Sequence, residues 1–137
     1  MTVFSAKLTE KIKSLVGRYE TQRSAIIPIL HAIQDEHHWI HPEHIDALEK
    51  DYKFNRVHVK EVISFYDIFF DIPKKPFQIR VCNNITCNMF GSQEIVDHLK
   101  AEIKAGKHAQ CEVTPYPCLG KCDGAPVVLI NKARYEH

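Results

Sequence analysis

A cysteine pair follows an alternating apolar and polar segment in Phe77-Gln-Ile-Arg-Val-Cys82-Asn-Asn-Ile-Thr-Cys87. The alternation predicts a strand over residues 77–81 with the pair in the loop after it. A second pair follows at Cys118-Leu-Gly-Lys-Cys122, and only Cys111 lies outside the two pairs. Two loops with two thiolates each supply what a [2Fe–2S] cluster needs, two sulfur ligands for each iron. The spacings therefore favour an iron–sulfur site.

Two other uses of paired cysteines remain open. Structural zinc sites usually contain a C-x2-C knuckle, whereas the pairs here have the spacings C-x4-C and C-x3-C. A redox-active dithiol would also require C-x-x-C, which the sequence lacks. An odd count of five cysteines suits a closed disulfide framework poorly. Zinc and disulfides are thus weaker alternatives than iron–sulfur.

Composition excludes several broad classes. The 137 residues suffice for one compact domain, or for a small domain with a helical extension, and 45% of them are apolar. A net charge of +1 gives no reason to expect binding to nucleic acid or to an anionic membrane surface. The first residues lack a signal-peptide core, and no apolar run is long enough for direct membrane insertion. We therefore expect a cytoplasmic protein whose thiols stay reduced.

The first half of the sequence predicts four short helices, because apolar residues recur there at helical spacing. The four stripes are Ile12, Leu15, Val16 and Tyr19; Ile26, Ile29, Leu30 and Ile33; Ile45, Leu48 and Tyr52; and Val59, Val62, Ile63, Tyr66 and Phe70. Pro42 suits the first turn of the third helix. None of these helices can bury its stripe alone, so we expect them to pack on each other or on a partner.

The second half predicts a small α/β layer. A proline-containing linker at 71–76 precedes the first strand, and Ser92 is a plausible cap for a helix that follows the first cysteine pair. Two more strands are predicted at 112–116 and 127–130, the latter buried on both faces because it is continuously apolar. In this arrangement the two cysteine loops could meet at one end of the sheet.

Residues beside the cysteines suit a negatively charged cluster. Asn83 and Asn84 could donate hydrogen bonds, and Lys121, between two candidate ligands, is expected to raise a reduction potential. Glycines allow backbone N–H groups to approach sulfur closely. The glycines near the pairs are Gly91, Gly120 and Gly124.

A wider pattern resembles a known family. Cys118-Leu-Gly-Lys-Cys122-Asp-Gly-Ala-Pro126, followed by Asn131, is similar to the thioredoxin-like [2Fe–2S] subunit of respiratory NADH:quinone oxidoreductase, the small subunit of its flavoprotein fraction. Ile26-Ile-Pro-Ile-Leu30, Gln34 and the segment from Glu36 to Glu43 resemble its helical part. The resemblance covers residues 20–135 and separates this chain from stand-alone thioredoxin-like ferredoxins.

The resemblance implies an α+β fold, with an N-terminal helical bundle at 1–75 and a thioredoxin-like [2Fe–2S] domain at 76–137. It implies one [2Fe–2S] cluster, and that this chain carries single electrons without catalysing a reaction alone. The cluster's ligands would be Cys82, Cys87, Cys118 and Cys122. NADH and FMN would be bound by a partner flavoprotein subunit whose FMN exchanges electrons with the cluster. Further iron–sulfur subunits would complete a complex on the cytoplasmic face of the inner membrane.

Several alternatives and departures accompany that resemblance. Relatives also occur in NAD-linked hydrogenases and formate dehydrogenases, and a zinc-stapled module that only braces a larger subunit is the rival from another class. His38 stands where relatives often have glycine, so the helix end there is expected to be strained. His37, His41 and His44 are expected to be solvated or to face a partner rather than to form a second metal site. Cys111 is expected to be a small buried core residue.

Overall fold

The computed structural model describes residues 3–137 and contains two compact units, Met1–Lys74 and Lys75–His137. We call them the helical unit and the sheet unit. The division into functional domains at 1–75 and 76–137 stays a prediction. Within the described residues, none of the helices combines the length and the apolar character that crossing a bilayer requires.

The helical unit contains the four helices that the sequence predicts. They are α1 (Ala6–Arg18), α2 (Gln22–His37), α3 (Pro42–Tyr52) and α4 (Arg56–Phe65). Each begins after a residue whose side chain accepts a hydrogen bond from a backbone N–H of the first turn; these N-caps are Ser5, Thr21, His41 and Asn55. Such caps satisfy donors that the helix itself leaves unpaired. Pro42 is the first residue of α3, as predicted.

Most residues of the predicted apolar stripes form the core of the helical unit, but Tyr19, Tyr66 and Phe70 are not part of it. Ile12, Ile29 and Ile33 are completely buried, and Phe69 joins them from the segment after α4. Gln34 fixes that segment with both ends of its amide, donating to the carbonyl of Ile68 at 2.8 Å and accepting from the N–H of Phe70 at 2.7 Å. The core therefore forms because four amphipathic helices bury their stripes against one another.

The strain predicted at His38 is present. His38 caps the carboxyl end of α2 in the left-handed region, with φ of 68°, and its N–H donates to the carbonyl of Gln34 at 2.8 Å. Glycine reaches this conformation without the steric cost that a Cβ atom imposes. We expect His38→Gly to raise the free energy of unfolding by about 1 kcal/mol. Denaturant titration measures this, and an unchanged or lower midpoint would contradict it.

The sheet unit contains a four-stranded mixed sheet in the order β2-β1-β3-β4. The strands are β1 (Phe77–Cys82), β2 (Cys111–Tyr116), β3 (Val127–Ile130) and β4 (Ala133–Glu136). The long helix is α6 (Ser92–Lys104), and a short helix, α5 (Ile85–Met89), precedes it. β1 runs parallel to β2 and antiparallel to β3, and β3 runs antiparallel to β4. The α+β class expected from the resemblance is thus confirmed.

Local expectations for the sheet unit need three corrections. Ser92 is the first residue of α6 and not its cap; the cap is Gly91, in the left-handed region, and no side chain caps the helix. β3 was expected to be buried on both faces, but only Val127 is buried and its other residues are half-buried. α5 and β4 were not predicted. Cys111 was expected to be a buried core residue, and it packs against the core of this unit but is only half-buried.

Candidate metal centre

The two cysteine loops meet because β1 and β2 are parallel. Parallel strands bring their carboxyl ends to the same edge of a sheet. Cys82 ends β1 and lies opposite Tyr116, the last residue of β2, in the strand register. The N–H of Asn83 then donates to the carbonyl of Tyr116 at 2.9 Å. The first loop therefore begins beside the segment that carries Cys118 and Cys122.

The four cysteines differ in exposure. Cys82 and Cys87 are buried, at 3% and 1% exposure, and pack with Ala125 and Val127 in a small apolar cluster. Cys118 and Cys122 are exposed, and all the cysteines are free thiols. Cys87 lies on α5, so this unpredicted helix turns the second thiol of the first pair inward. The site is thus buried on one side and open on the other.

Contacts between thiols join the two loops. Hydrogen bonding with the thiols of Cys87 and Cys118 lowers the pKa of Cys82, and the thiol of Cys122 acts electrostatically on Cys87 and raises its pKa. Cys82, Cys87 and Cys118 are therefore neighbours, and Cys122 lies within electrostatic range of Cys87. Both members of each pair take part.

Burial and hydrogen bonding have opposite effects on the first pair. Burial raises the pKa of the Cys82 thiol, but hydrogen bonds from the N–H groups of Asn84 and Leu119 and from two neighbouring thiols outweigh it, so the pKa lies below its usual value. Burial raises the pKa of Cys87, and the hydrogen bond to Cys82 raises it further. Cys82 is therefore the member of this pair more readily deprotonated, and a thiolate is the form that binds metal.

The residues present fit a [2Fe–2S] cluster. A thiolate-ligated cluster carries negative charge, so its sulfurs need hydrogen-bond donors around them. Besides the two N–H groups at Cys82, the N–H of Val127 donates to Cys87, and the N–H of Gly120 donates to the sulfur of Cys118 at 3.3 Å. Gly120 has φ of 71°, which glycine adopts easily. The expected approach of a loop glycine to sulfur is therefore present.

Asn84 contributes through its backbone rather than its amide. Its side-chain oxygen accepts a hydrogen bond from the N–H of Ile85 at 2.7 Å and caps α5. The N–H of Asn84 reaches Cys82 instead. The sequence identified the residue, but the local helix uses its side chain, because an asparagine before a helix is an effective N-cap.

Lys121 lies between two of the cysteines but does not act as an isolated positive charge. Its ammonium group forms an ion pair with Asp123 inside the same loop, and hydrogen bonding to Asp123 raises the pKa of Lys121. The same contact lowers the pKa of Asp123. Part of the lysine's charge is therefore offset at the site.

Among residues 3–137, no group of three or more His, Cys, Asp or Glu side chains is arranged so that it could hold a metal ion as it stands. The thiol contacts are pairwise, and the four-ligand set stays a prediction.

One histidine of the helical unit differs from expectation. His44 is 5% exposed, with its ring centroid 4.4 Å from that of His37, so it is not solvated. Its Nδ1 accepts a hydrogen bond from the N–H of His41 at 3.1 Å, while Nδ1 of His41 accepts from the N–H of Glu43 at 3.3 Å. These histidines cap α3. The sequence did not reveal this role, because histidine is not among the usual N-cap residues.

Comparison with known proteins finds one matching family and several relatives. The family model of the thioredoxin-like [2Fe–2S] ferredoxins matches residues 12–137. A subunit of the NADH-quinone oxidoreductase of Aquifex aeolicus is 31% identical over 138 aligned positions, which cover 97% of this chain and 86% of that protein. A subunit of the NADH-quinone oxidoreductase of Thermus thermophilus is 32% identical, over 85% of this chain and 67% of that protein.

A similar segment occurs in a second kind of complex. The alpha subunit of the NAD-reducing hydrogenase HoxS of Cupriavidus necator is 28% identical over 91% of this chain, but the match covers only 22% of that subunit. The match of the family model includes both cysteine loops and most of the helical unit. This chain therefore belongs to the thioredoxin-like [2Fe–2S] ferredoxin family.

Proposed function

We propose that this chain is an electron-transfer subunit that holds one [2Fe–2S] cluster through Cys82, Cys87, Cys118 and Cys122. It would serve a complex that oxidises NADH, and its electrons would be exchanged with the FMN of a partner subunit. When bound, the cluster accepts and releases one electron at a time. The protein contributes four thiols, the N–H donors around them and burial on one side.

One observation carries the proposal. The contacts between thiols join the C-x4-C loop to the C-x3-C loop, with Cys82 contacting both Cys87 and Cys118. Four sulfurs from two loops are the donor set of a [2Fe–2S] cluster. The spacing favours Cys82 and Cys87 on one iron, with Cys118 and Cys122 on the other, because a short loop chelates a single metal most easily.

The outer face of α5 supports docking of a larger subunit near the cysteines. Ile85 and Met89 are one helical turn apart and 76% and 80% exposed, and Phe90 is 62% exposed. Cys87, on the same helix, is 1% exposed. Clustered apolar side chains at a surface are typical of protein interfaces. We infer that the flavoprotein subunit covers this face, which would bring its FMN towards the cysteines.

A second candidate is the same role in an NAD-linked hydrogenase, and the match to the Cupriavidus necator subunit favours it. The chemistry of this chain would be identical in both complexes, and only the partner subunits would differ. Co-purification from the native cells, followed by identification of the bound subunits, separates the two. A quinone-reducing complex and a hydrogenase contain different catalytic subunits.

The proposal is tested by anaerobic purification with assays for iron, sulfide and zinc, and with EPR before and after dithionite. We expect about two irons and two sulfides per chain and an S = 1/2 signal only after reduction. One zinc per chain would make the zinc-stapled bracing module the better account. The absence of any metal after anaerobic handling and reconstitution would also reject the proposal.

The charge of Lys121 is expected to influence the reduction potential. Lys121→Glu places a negative charge between two of the proposed ligands and disfavours reduction, so the midpoint potential should fall. The variant also removes the ion-pair partner of Asp123, so two negative side chains then lie in this loop. A redox titration followed by EPR measures it, with Lys104→Glu at the end of α6 as a control of equal charge change. An equal shift in both variants would contradict a local effect.

A further inference from the structure

The carboxyl-terminal strand ends beside the second cysteine loop. β4 pairs with β3 so that Glu136 lies opposite Val127. The N–H of His137 donates to the carbonyl of Gly124 at 3.2 Å. Gly124 closes a 3-10 turn over Cys122–Gly124, directly after Lys121. The last two residues of this chain therefore lie against the turn that contains Cys122.

Glu136 is held in a defined position next to this turn. Its Oε1 is 2.7 Å from Nε of Arg134, which lies two residues earlier on the same side of the strand. A Cβ atom at position 124 would overlap the Glu136 carboxylate, so Gly124 and Glu136 pack closely. Gly124 is buried, and the side chain of Glu136 is only 26% exposed. Arg134 thus orients one carboxylate oxygen while the other faces the turn.

The second carboxylate oxygen of Glu136 faces Lys121. Oε2 of Glu136 is 4.0 Å from Nζ of Lys121, which also pairs with Asp123. Asp123 belongs to the same loop as Lys121, so that pair cannot hold the loop to the rest of the unit. Glu136 belongs to the sheet. It is therefore the partner of Lys121 that ties the loop to the strands.

We propose that Glu136 is a positioning residue, which clamps the second cysteine loop to the sheet through Lys121 and Gly124 and keeps Cys122 in place. The role of Cys122 as a metal ligand rests on the proposed function, whereas the clamp by Glu136 does not depend on it. The clamp acts on a loop whose cysteines are exposed and receive little support from the core. Glu136 on β4 restrains the second cysteine pair, whereas burial restrains the first pair.

Hydrogen exchange tests the clamp in the metal-free chain. Glu136→Gln keeps the length of the side chain and removes its charge. We expect amide exchange across residues 118–125 to become roughly two- to fivefold faster, the range for loss of one partly exposed ion pair, with exchange in β1 unchanged. Exchange equal to that of the unaltered chain would overturn the proposal. Faster exchange spread through β1 and β2 would also overturn it, because the whole sheet unit would then be destabilised.

Glu112→Gln is the matched control. Glu112 lies on β2 opposite Gln78, near the start of β1 and away from Cys82, and the net charge changes equally. Its variant should leave exchange across 118–125 unchanged, and an equal acceleration would overturn the local clamp. Lys121→Met should resemble Glu136→Gln, and the double variant should exchange no faster than either single one. Additive effects would show that the two residues act independently, contrary to the proposal.

Iron loss tests the consequence for the ligand. After anaerobic reconstitution, a chelator should remove iron from Glu136→Gln several-fold faster than from the unaltered chain, and at an unchanged rate from Glu112→Gln. Equal rates in all three proteins would overturn the link between the clamp and Cys122. If the unaltered chain takes up no iron, the proposed function fails, while the exchange experiment still decides whether Glu136 clamps the loop.

Discussion

Cys82→Ala is expected to lose its iron and sulfide completely, whereas Cys111→Ala should keep both. Cys82 contacts both Cys87 and Cys118, and it is the proposed ligand with the most hydrogen-bond donors. Cys111 lies outside the loops, half-buried against the core of the sheet unit. Because both variants remove one thiol, a difference between them isolates the proposed site from a general effect of cysteine loss.

Stability should follow the metal content of these variants. Binding to an ordered site is coupled to folding, so the unaltered chain should melt at a higher temperature loaded than metal-free. This difference should vanish for Cys82→Ala and persist for Cys111→Ala. Thermal unfolding monitored by circular dichroism, with metal analysis of the same samples, measures both. Retention of about two irons per chain by Cys82→Ala would remove Cys82 from the ligand set.

Acid should destabilise the helical unit through His44. Burial, followed by the neighbouring His37 and His41, lowers the pKa of His44 from 6.5 to about 4, while Glu36 acts weakly in the opposite direction. Protonation would also place a hydrogen on Nδ1, which accepts the N–H of His41. The folded chain therefore binds this proton less readily than the unfolded chain.

The sign of the pH dependence follows from these two pKa values. Above about pH 6.5 His44 is neutral in both states, and its contribution to stability is fully present. Between pH 6.5 and about 4 the unfolded chain binds the proton first, so the free energy of unfolding falls as the pH falls. The loss should reach about 3 kcal/mol and level off below that range.

His44→Asn provides the comparison. The asparagine oxygen can still accept the N–H of His41, but the side chain does not titrate. Denaturant unfolding at several pH values, followed through Trp39, reports on the helical unit because Trp39 is the only tryptophan and belongs to that unit. The unaltered chain should lose stability more steeply with acid than the variant. Parallel profiles for the two proteins would reject His44 as the responsible group.

Periodicity was enough to predict the helical unit. Each helix has a stripe that recurs every three or four residues, and burial of Ile12, Ile29 and Ile33 needs little information beyond that spacing. The ends were less accurate: Tyr19 and Tyr66 were placed in helical stripes but lie one residue beyond α1 and α4. Phe70 was placed in the fourth stripe but lies five residues beyond the end of α4. Helix ends depend on caps and on the chain that follows, which a hydrophobic pattern does not encode.

The sequence indicates the four candidate cysteines but not the elements that surround them. Four cysteines at these spacings indicate the donor set, and the parallel β1 and β2 explain why the loops meet. α5 escaped prediction because its five residues are too few to show a helical period. β4 escaped because it alternates weakly and is mostly exposed. Both unpredicted elements lie beside the cysteines, since α5 contains Cys87 and β4 contains Glu136.

The unequal exposure of the two cysteine pairs has a consequence for damage by oxidants. In a metal-free chain, peroxide in the surrounding water reaches Cys118 and Cys122 directly, while Cys82 and Cys87 are 3% and 1% exposed. Oxidation of a thiol to sulfenic acid and beyond requires access as well as thiolate character. Irreversible oxidation of newly made, metal-free protein would therefore begin at the cysteines of the second loop. Iron would have to bind there faster than these thiols are oxidised.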